Sequence, residues 1–213
     1  MGRRIKPNSF RLGITKDWQS RWFADRKNSP IWLAEDERVR GVIMKKISQA
    51  GIAQLETERT PDKYRIFIKA SRPGLIIGRG GKGVEDLTKA IEKVMKTKVA
   101  LSVNVEELKR TEVSAPVVAQ GIASDLERRF KFRRTIKKSL ENVSQNRDVK
   151  GVKIMVSGRL DGAEISRSEF LTFGKLPLSS LRANIDYGEA TAFTTYGTVG
   201  IKVWIYKGEI FDR

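Results

Sequence analysis

The 213-residue chain contains neither cysteine nor histidine. Together those absences remove disulfides, thiolate nucleophiles, Cys/His zinc sites and imidazole general bases. Carboxylate, lysine, serine and tyrosine chemistry stays open, but its short signatures are missing. No Gly-x-Ser-x-Gly occurs, and a Walker A loop ending at Lys82 would need glycine where Ile76 stands. No apolar stretch approaches the roughly 18 residues that a membrane helix needs. The basic start, Met1-Gly2-Arg3-Arg4-Ile5-Lys6-Pro7, has no apolar run behind it. A secretory signal is therefore not expected, and the chain is expected in the cytoplasm.

Positive charge is what the chain has in excess. Lys and Arg number 42 against 25 Asp and Glu, a net charge of +17, divided as +11 over residues 1–106 and +6 over 107–213. So cationic a globular chain repels itself unless a polyanion sits nearby, and phosphate backbones meet that need by releasing counterions. The alternative is a solvated surface of high isoelectric point. An anionic membrane fits less well, since no cationic helix with a Trp/Phe face stands out. The 39% of hydrophobic residues are interleaved with the charge, as in a chain with packed cores.

Three segments follow from the pattern. Residues 1–35 read as a basic N-terminal arm carrying Arg3, Arg4, Lys6, Arg11, Lys16, Arg21, Arg26 and Lys27, with Phe10, Trp18, Trp22, Phe23 and Trp32 among them. Cations with interspersed aromatics can pair phosphates and stack bases, although most of these aromatics are expected to anchor the arm onto a domain. Residues 36–106 run helix, strand, strand, helix, glycine loop, helix, strand. Glu35-Asp36-Glu37 marks the expected helix start, Gly51 its end, Thr60-Pro61-Asp62-Lys63 a hairpin turn, and Pro73 a short helix through Ile77. Residues 107–213 run helices first, then strands over 152–156, 164–172, 182–192 and 200–206, which is an α+β pattern.

Two clusters carry candidate chemistry. In Gly78-Arg79-Gly80-Gly81 the missing side chains let a nucleic acid backbone lie against the loop. Arg79 and Lys82 add charge, and the following helix presents N–H groups to a phosphate. A KH domain clamps single-stranded RNA this way, and the surrounding element order is the type II KH order. Ile76 and Ile77 either line the groove or brace the loop, with core bracing expected for at least one. The bland alternative is a tight turn. A rival is a dinucleotide site, since Gly78, Gly80 and Gly83 satisfy G-x-G-x-x-G and a strand ends at Glu106; against it, a helical turn precedes the first glycine. The second cluster is Arg128, Arg129, Lys131, Arg133, Arg134, Lys137 and Lys138. On a helix Arg133 and Lys137 share a face, as do Arg134 and Lys138, and like charges so spaced destabilise a helix that lacks an anionic partner. Arg159, between two strands, reads equally as a turn residue or as a contact to RNA or protein.

The chain resembles the bacterial small-subunit ribosomal protein S-three family. The residues that carry this are Met1 to Pro7, Arg11 to Ile14, Arg72-Pro73-Gly74-Leu75-Ile76-Ile77-Gly78-Arg79-Gly80-Gly81, Leu126-Glu127-Arg128-Arg129, Phe132-Arg133-Arg134, Val156 to Ile165, Thr195-Tyr196-Gly197, and Gly200 to Glu209. The resemblance implies an α+β protein: a type II KH domain (αββααβ, 36–106), then a second α+β domain (107–213) of two helices on a mainly antiparallel sheet. It implies ribosomal RNA in the subunit head, messenger RNA at the entry channel, and neighbouring small-subunit proteins as partners, in cytoplasmic ribosomes. No cofactor, metal, membrane or small-molecule substrate is expected, and no catalytic residue. The matching site residues are Gly78, Arg79, Gly80, Gly81 and Lys82 in the KH loop, and Arg133, Arg134 and Lys137 at the messenger entry. Arg3, Arg4, Lys6 and Arg11 of the arm are expected on ribosomal RNA. Relatives often carry a lysine-rich loop, so a weaker phosphate grip is expected with one charge between the glycines. From another functional class, a DNA-repair lyase would need a lysine amine desolvated beside a carboxylate.

Overall fold

Prolines mark the helix starts. Pro7, Pro30, Pro73 and Pro116 each stand in the first turn of a helix, where a missing N–H leaves nothing unsatisfied. The structure is a computed structural model and describes residues 5–95, 99–109 and 112–211. In chain order the elements are α1 (Pro7–Phe10), β1 (Ser20–Arg21), α2 (Ser29–Lys46), β2 (Ile52–Arg59), β3 (Lys63–Ala70), α3 (Pro73–Ile77), α4 (Lys82–Val94), β4 (Ala100–Glu107), α5 (Ala115–Glu127), α6 (Phe132–Ser144), β5 (Gly151–Gly158), β6 (Arg167–Gly174), β7 (Ala183–Thr194) and β8 (Gly197–Glu209). They fall into two compact units, Trp18–Lys109 and Met1–Asp17 with Arg110–Arg213. Among the described residues no helix is long and apolar enough to cross a membrane.

In the first unit the sheet order is β1-β2-β3-β4, with β2 and β3 antiparallel and β3 and β4 parallel. The parallel step is reached through α3 and α4, which is what the αββααβ order demands. Val39 and Ile43 of α2 and Ile47 just after it meet Tyr64, Ile66 and Ile68 of β3 and Leu87 and Ile91 of α4 in one core. Helix α2 starts six residues before the expected Glu35. Glu35 and Asp36 are not first-turn charges but buried groups, 2% and 4% exposed. Glu35 pairs with Arg59 at 2.8 Å, and Arg59 lies over the Trp32 ring at 4.2 Å. Asp36 accepts hydrogen bonds from Ser20 Oγ at 2.6 Å and Tyr64 Oη at 2.7 Å. Acceptors from a helix thus fasten the segment before it onto the sheet.

In the second unit the sheet order is β6-β5-β8-β7, antiparallel throughout. Helices α5 and α6 cover one face, over Val152, Ile154, Val156, Ile201, Val203 and Ile205. Helix α5 comes so close to β7 that a Cβ at Gly188 would lie 2.3 Å from the Pro116 nitrogen. The Ala115 N–H donates to Asp186 Oδ2 at 2.8 Å at the same place.

The expected arm at 1–35 differs from the structure. Residues 5–17 pack with the second unit, where α1 lies on β7, whereas Trp18 onward belongs to the first, where β1 extends the sheet beside β2. The physical reason is a pair of separate anchors. Arg11 is fastened in the second unit, and the Ser20–Asp36 and Trp32–Arg59 contacts lie in the first.

Candidate nucleic-acid interface

The glycine loop of the first unit is shaped by backbone before any side chain acts. Gly78, Gly80 and Gly81 have φ of +68°, +62° and +81°, in the region that favours glycine. A Cβ at Gly80 or Gly81 would meet nothing within 4 Å, so glycine there serves the loop's path. Gly83 serves packing instead, because a Cβ there would stand 2.3 Å from the Ile76 carbonyl oxygen. Helices α3 and α4 therefore close tightly behind a loop that projects outward. Arg79, Gly80 and Lys82 are exposed, and neither cation has an ion-pair partner among the described residues. Lys82 opens α4, whose first N–H groups face the loop's end. Ile76 is 3% exposed and braces the core, while Ile77 and Leu75 are open to solvent beside the loop. In a dinucleotide site the first glycine follows a strand; here Gly78 ends α3, so that geometry is not formed.

The second cluster lies on α6. Phe132, Thr135, Ile136 and Val143 turn one side of the helix into the core, and Arg133, Arg134, Lys137 and Lys138 are exposed. Arg128, Arg129 and Lys131 in the turn before it are exposed too, and Arg129 holds φ at +66°, an uncommon setting for a non-glycine residue. Not all of this charge is free. Arg133 grips Glu169 of β6 with two bonds, Nε to Oε2 and Nη2 to Oε1, both 3.2 Å. Arg167 reaches the same carboxylate at 3.7 Å. The bond from Arg133 holds the Glu169 carboxyl below the usual carboxylate range. Arg134 and Lys137 have no ion-pair partner among the described residues. Sequence reading missed Glu169, although strand alternation places it with Leu171 and Phe173 on the row that faces the helices, opposite Val156, Ile154 and Val152.

The N-terminal residues split. Arg3 and Arg4 lie outside the described residues. Lys6 is exposed and paired with Glu189. Arg11, expected on ribosomal RNA, is corrected: it is fully buried. Its guanidinium donates to the carbonyls of Ala183 (2.8 Å), Pro7 (3.2 Å), Leu178 (3.0 Å) and Ser180 (2.7 Å), so most of its donors are spent inside the fold. Lys16 is partly buried, and burial, partly opposed by Asp186, lowers its pKa. Its ammonium donates to Asn8 Oδ1 at 2.8 Å and is a hydrogen-bonded part of the N-terminal turn rather than a free amine. Trp22 and Trp32 stack edge to face at 5.9 Å as anchors, while Trp18 and Phe23 are exposed. Arg159 braces turns, donating to the Ala163 and Tyr196 carbonyls at 3.0 and 2.9 Å.

Comparison with known proteins matches both units. The KH domain family model covers residues 38–112, and the model described as ribosomal protein S3, C-terminal domain, covers 122–205. The small ribosomal subunit protein uS3 of Desulforamulus reducens is 48% identical over 213 residues, spanning all of this chain and 95% of the relative. That of Caldicellulosiruptor saccharolyticus is 46% identical with the same coverage. That of Finegoldia magna is 47% identical over 210 residues, 99% of this chain and 85% of the relative. With both domains matched in order and nearly half of all positions identical along its length, the chain belongs to the uS3 family of small-subunit ribosomal proteins, a structural and not an enzymatic family.

Proposed function

We propose that this chain binds ribosomal RNA in the head of the small subunit and forms part of the messenger entry channel. There the exposed face of α6 holds the incoming messenger and helps to open its structure. The observation that carries this reading is the division of α6 itself. One side is committed to the core through Phe132, Ile136 and Val143, and the other presents Arg134 and Lys137, which have no acidic partners among the described residues. Unpaired cations one turn apart are a phosphate-binding pattern, and their mutual repulsion is relieved by an anion. The KH loop, Gly78 to Lys82, supplies a second contact through two exposed cations and the N-terminus of α4. Arg3, Arg4 and Lys6 add charge to the N-terminal segment on ribosomal RNA, and neighbouring small-subunit proteins are further partners. The force for strand separation comes from translocation, and the face contributes grip alone.

The test uses small subunits carrying Arg133→Ala, Arg134→Ala and Lys137→Ala together. Elongation through a stable messenger hairpin is expected to slow several-fold while elongation on unstructured messenger is unchanged. Equal slowing on both messengers, or none on either, would overturn the reading.

A further inference from the structure

The basic face does not lie on α6 alone, and it contains its own anion. Arg133 reaches out from the first turn of α6 and closes a two-bond pair on Glu169 of the neighbouring strand. Arg167, two residues earlier on β6, shares that carboxylate at 3.7 Å. Both guanidiniums also lie by the Phe132 ring, at 5.6 and 6.0 Å from its centroid. One carboxylate thus gathers two arginines from different elements over one aromatic ring. The Arg133 side chain is 75% exposed and that of Arg167 51%, so both stand where an RNA phosphate can reach them, whereas Glu169 is 30% exposed. An ion pair this open to water is weak, and a phosphate offers the same planar guanidinium an equivalent two-pronged acceptor.

We propose that Glu169 is an internal competitor of RNA phosphate at this face, holding Arg133 and Arg167 in reserve, and that Arg167 is an additional phosphate-binding residue. The inference rests on the RNA-binding reading of α6 and deepens it. Arg134 and Lys137 meet phosphate directly. Arg133 and Arg167 meet it only by exchanging one anion for another, which releases no counterion and adds little net affinity. A surface along which a strand must slide gains from this arrangement, since each phosphate that arrives displaces Glu169 and each that leaves is replaced by it.

The consequence is read in the salt dependence of binding, because each cation that newly neutralises a phosphate adds about 0.7 to the slope of log K against log salt for a single strand. The full-length chain is titrated with a fluorescent single-stranded RNA over a range of potassium chloride. Glu169→Gln keeps the shape of the side chain and removes its charge. It is expected to steepen the slope by about 0.7 to 1.4 and to tighten binding about fivefold at low salt. Adding Arg133→Ala to it returns most of that gain. Glu169→Asp, with the charge kept, stays near wild type. A slope and affinity for Glu169→Gln equal to wild type, or weaker binding, would overturn the inference and make Glu169 a scaffold for Arg133. A separate variant, Arg134→Ala with Lys137→Ala, isolates the underlying reading: it should flatten the slope by about 1.4. If it flattens the slope while Glu169→Gln does nothing, the face binds RNA without internal competition. If it leaves the slope unchanged, the RNA-binding reading of α6 fails instead.

Discussion

Replacing Arg11 by alanine separates a buried structural arginine from an RNA contact, because the two roles predict opposite results in two assays. Four carbonyl oxygens lose their donor at once. Those of Ala183 and Pro7 accept in buried bonds, and those of Leu178 and Ser180 in part-buried ones. Orphaning a buried carbonyl costs about 1–3 kcal/mol, whereas water can reach the part-buried pair and recover much of their loss. Against this, the substitution removes a guanidinium whose desolvation opposed folding. The net loss should be about 3 kcal/mol, within the roughly 2–6 kcal/mol of two orphaned buried carbonyls and reduced by the relieved desolvation. In scanning calorimetry of the full chain, the transition of the unit holding α5, α6 and the β6-β5-β8-β7 sheet should fall by about 10 °C. The KH unit's transition serves as the internal reference and stays in place. Arg11→Lys keeps one charge but not the planar fork, and should recover part of the loss. Measured well below the transition, RNA affinity and its salt slope should match wild type. A stability loss under about 1 kcal/mol, joined to a slope lower by about 0.7, would refute the reasoning and return Arg11 to the RNA surface.

Three further outcomes follow from the KH unit. Glu35→Ala strands Arg59 in the core beneath Trp32 and should cost about 3 kcal/mol by thermal unfolding, most of it recovered by adding Arg59→Met. Gly83→Ala drives a Cβ against the Ile76 carbonyl and should cost about 2–3 kcal/mol, whereas Gly80→Ala meets open space and costs only about 1 kcal/mol from its positive φ, so the two melting temperatures should differ. Burial alone would raise the Asp36 pKa, but hydrogen bonds from Ser20 and Tyr64 and the charge of Arg40 outweigh it and hold the carboxyl below its ordinary value. A depressed folded-state pKa gives stability that is present above the unfolded value near 3.8 and is lost as pH falls through the folded one. Resistance to urea should therefore fall on the acid side, and Asp36→Asn should flatten that limb.

Local pattern made the element order legible. Helical spacing at Val39, Ile43 and Ile47, the alternation of Tyr64, Ile66 and Ile68, and the glycines between α3 and α4 all depend on neighbours a few residues away. The cations of α6 were legible for the same reason. The structure adds what distant partners decide. Arg11 looks like any arm cation until the carbonyls of Leu178, Ser180 and Ala183, some 170 residues on, come to surround it. Glu35 and Asp36 carry a helix-start signature, and only Arg59 and Tyr64 across the fold turn them into buried anchors. Arg133 and Arg134 are indistinguishable in sequence, yet Glu169 lies within reach of one and not the other.

The chain leaves the second unit at Asp17 and re-enters it at Arg110, with the whole KH unit between. During synthesis this imposes an order of events. The KH residues emerge together and can fold as soon as β4 has been made. The segment holding α1 and Arg11, although made first, has nothing to dock on until residues 178–183 exist. The oldest part of the chain is thus among the last to settle, and its docking reports that β7 is in place. A chain that stalls before that point exposes Arg11 as one more free cation, available to any nearby RNA, and loses that stickiness only on completion.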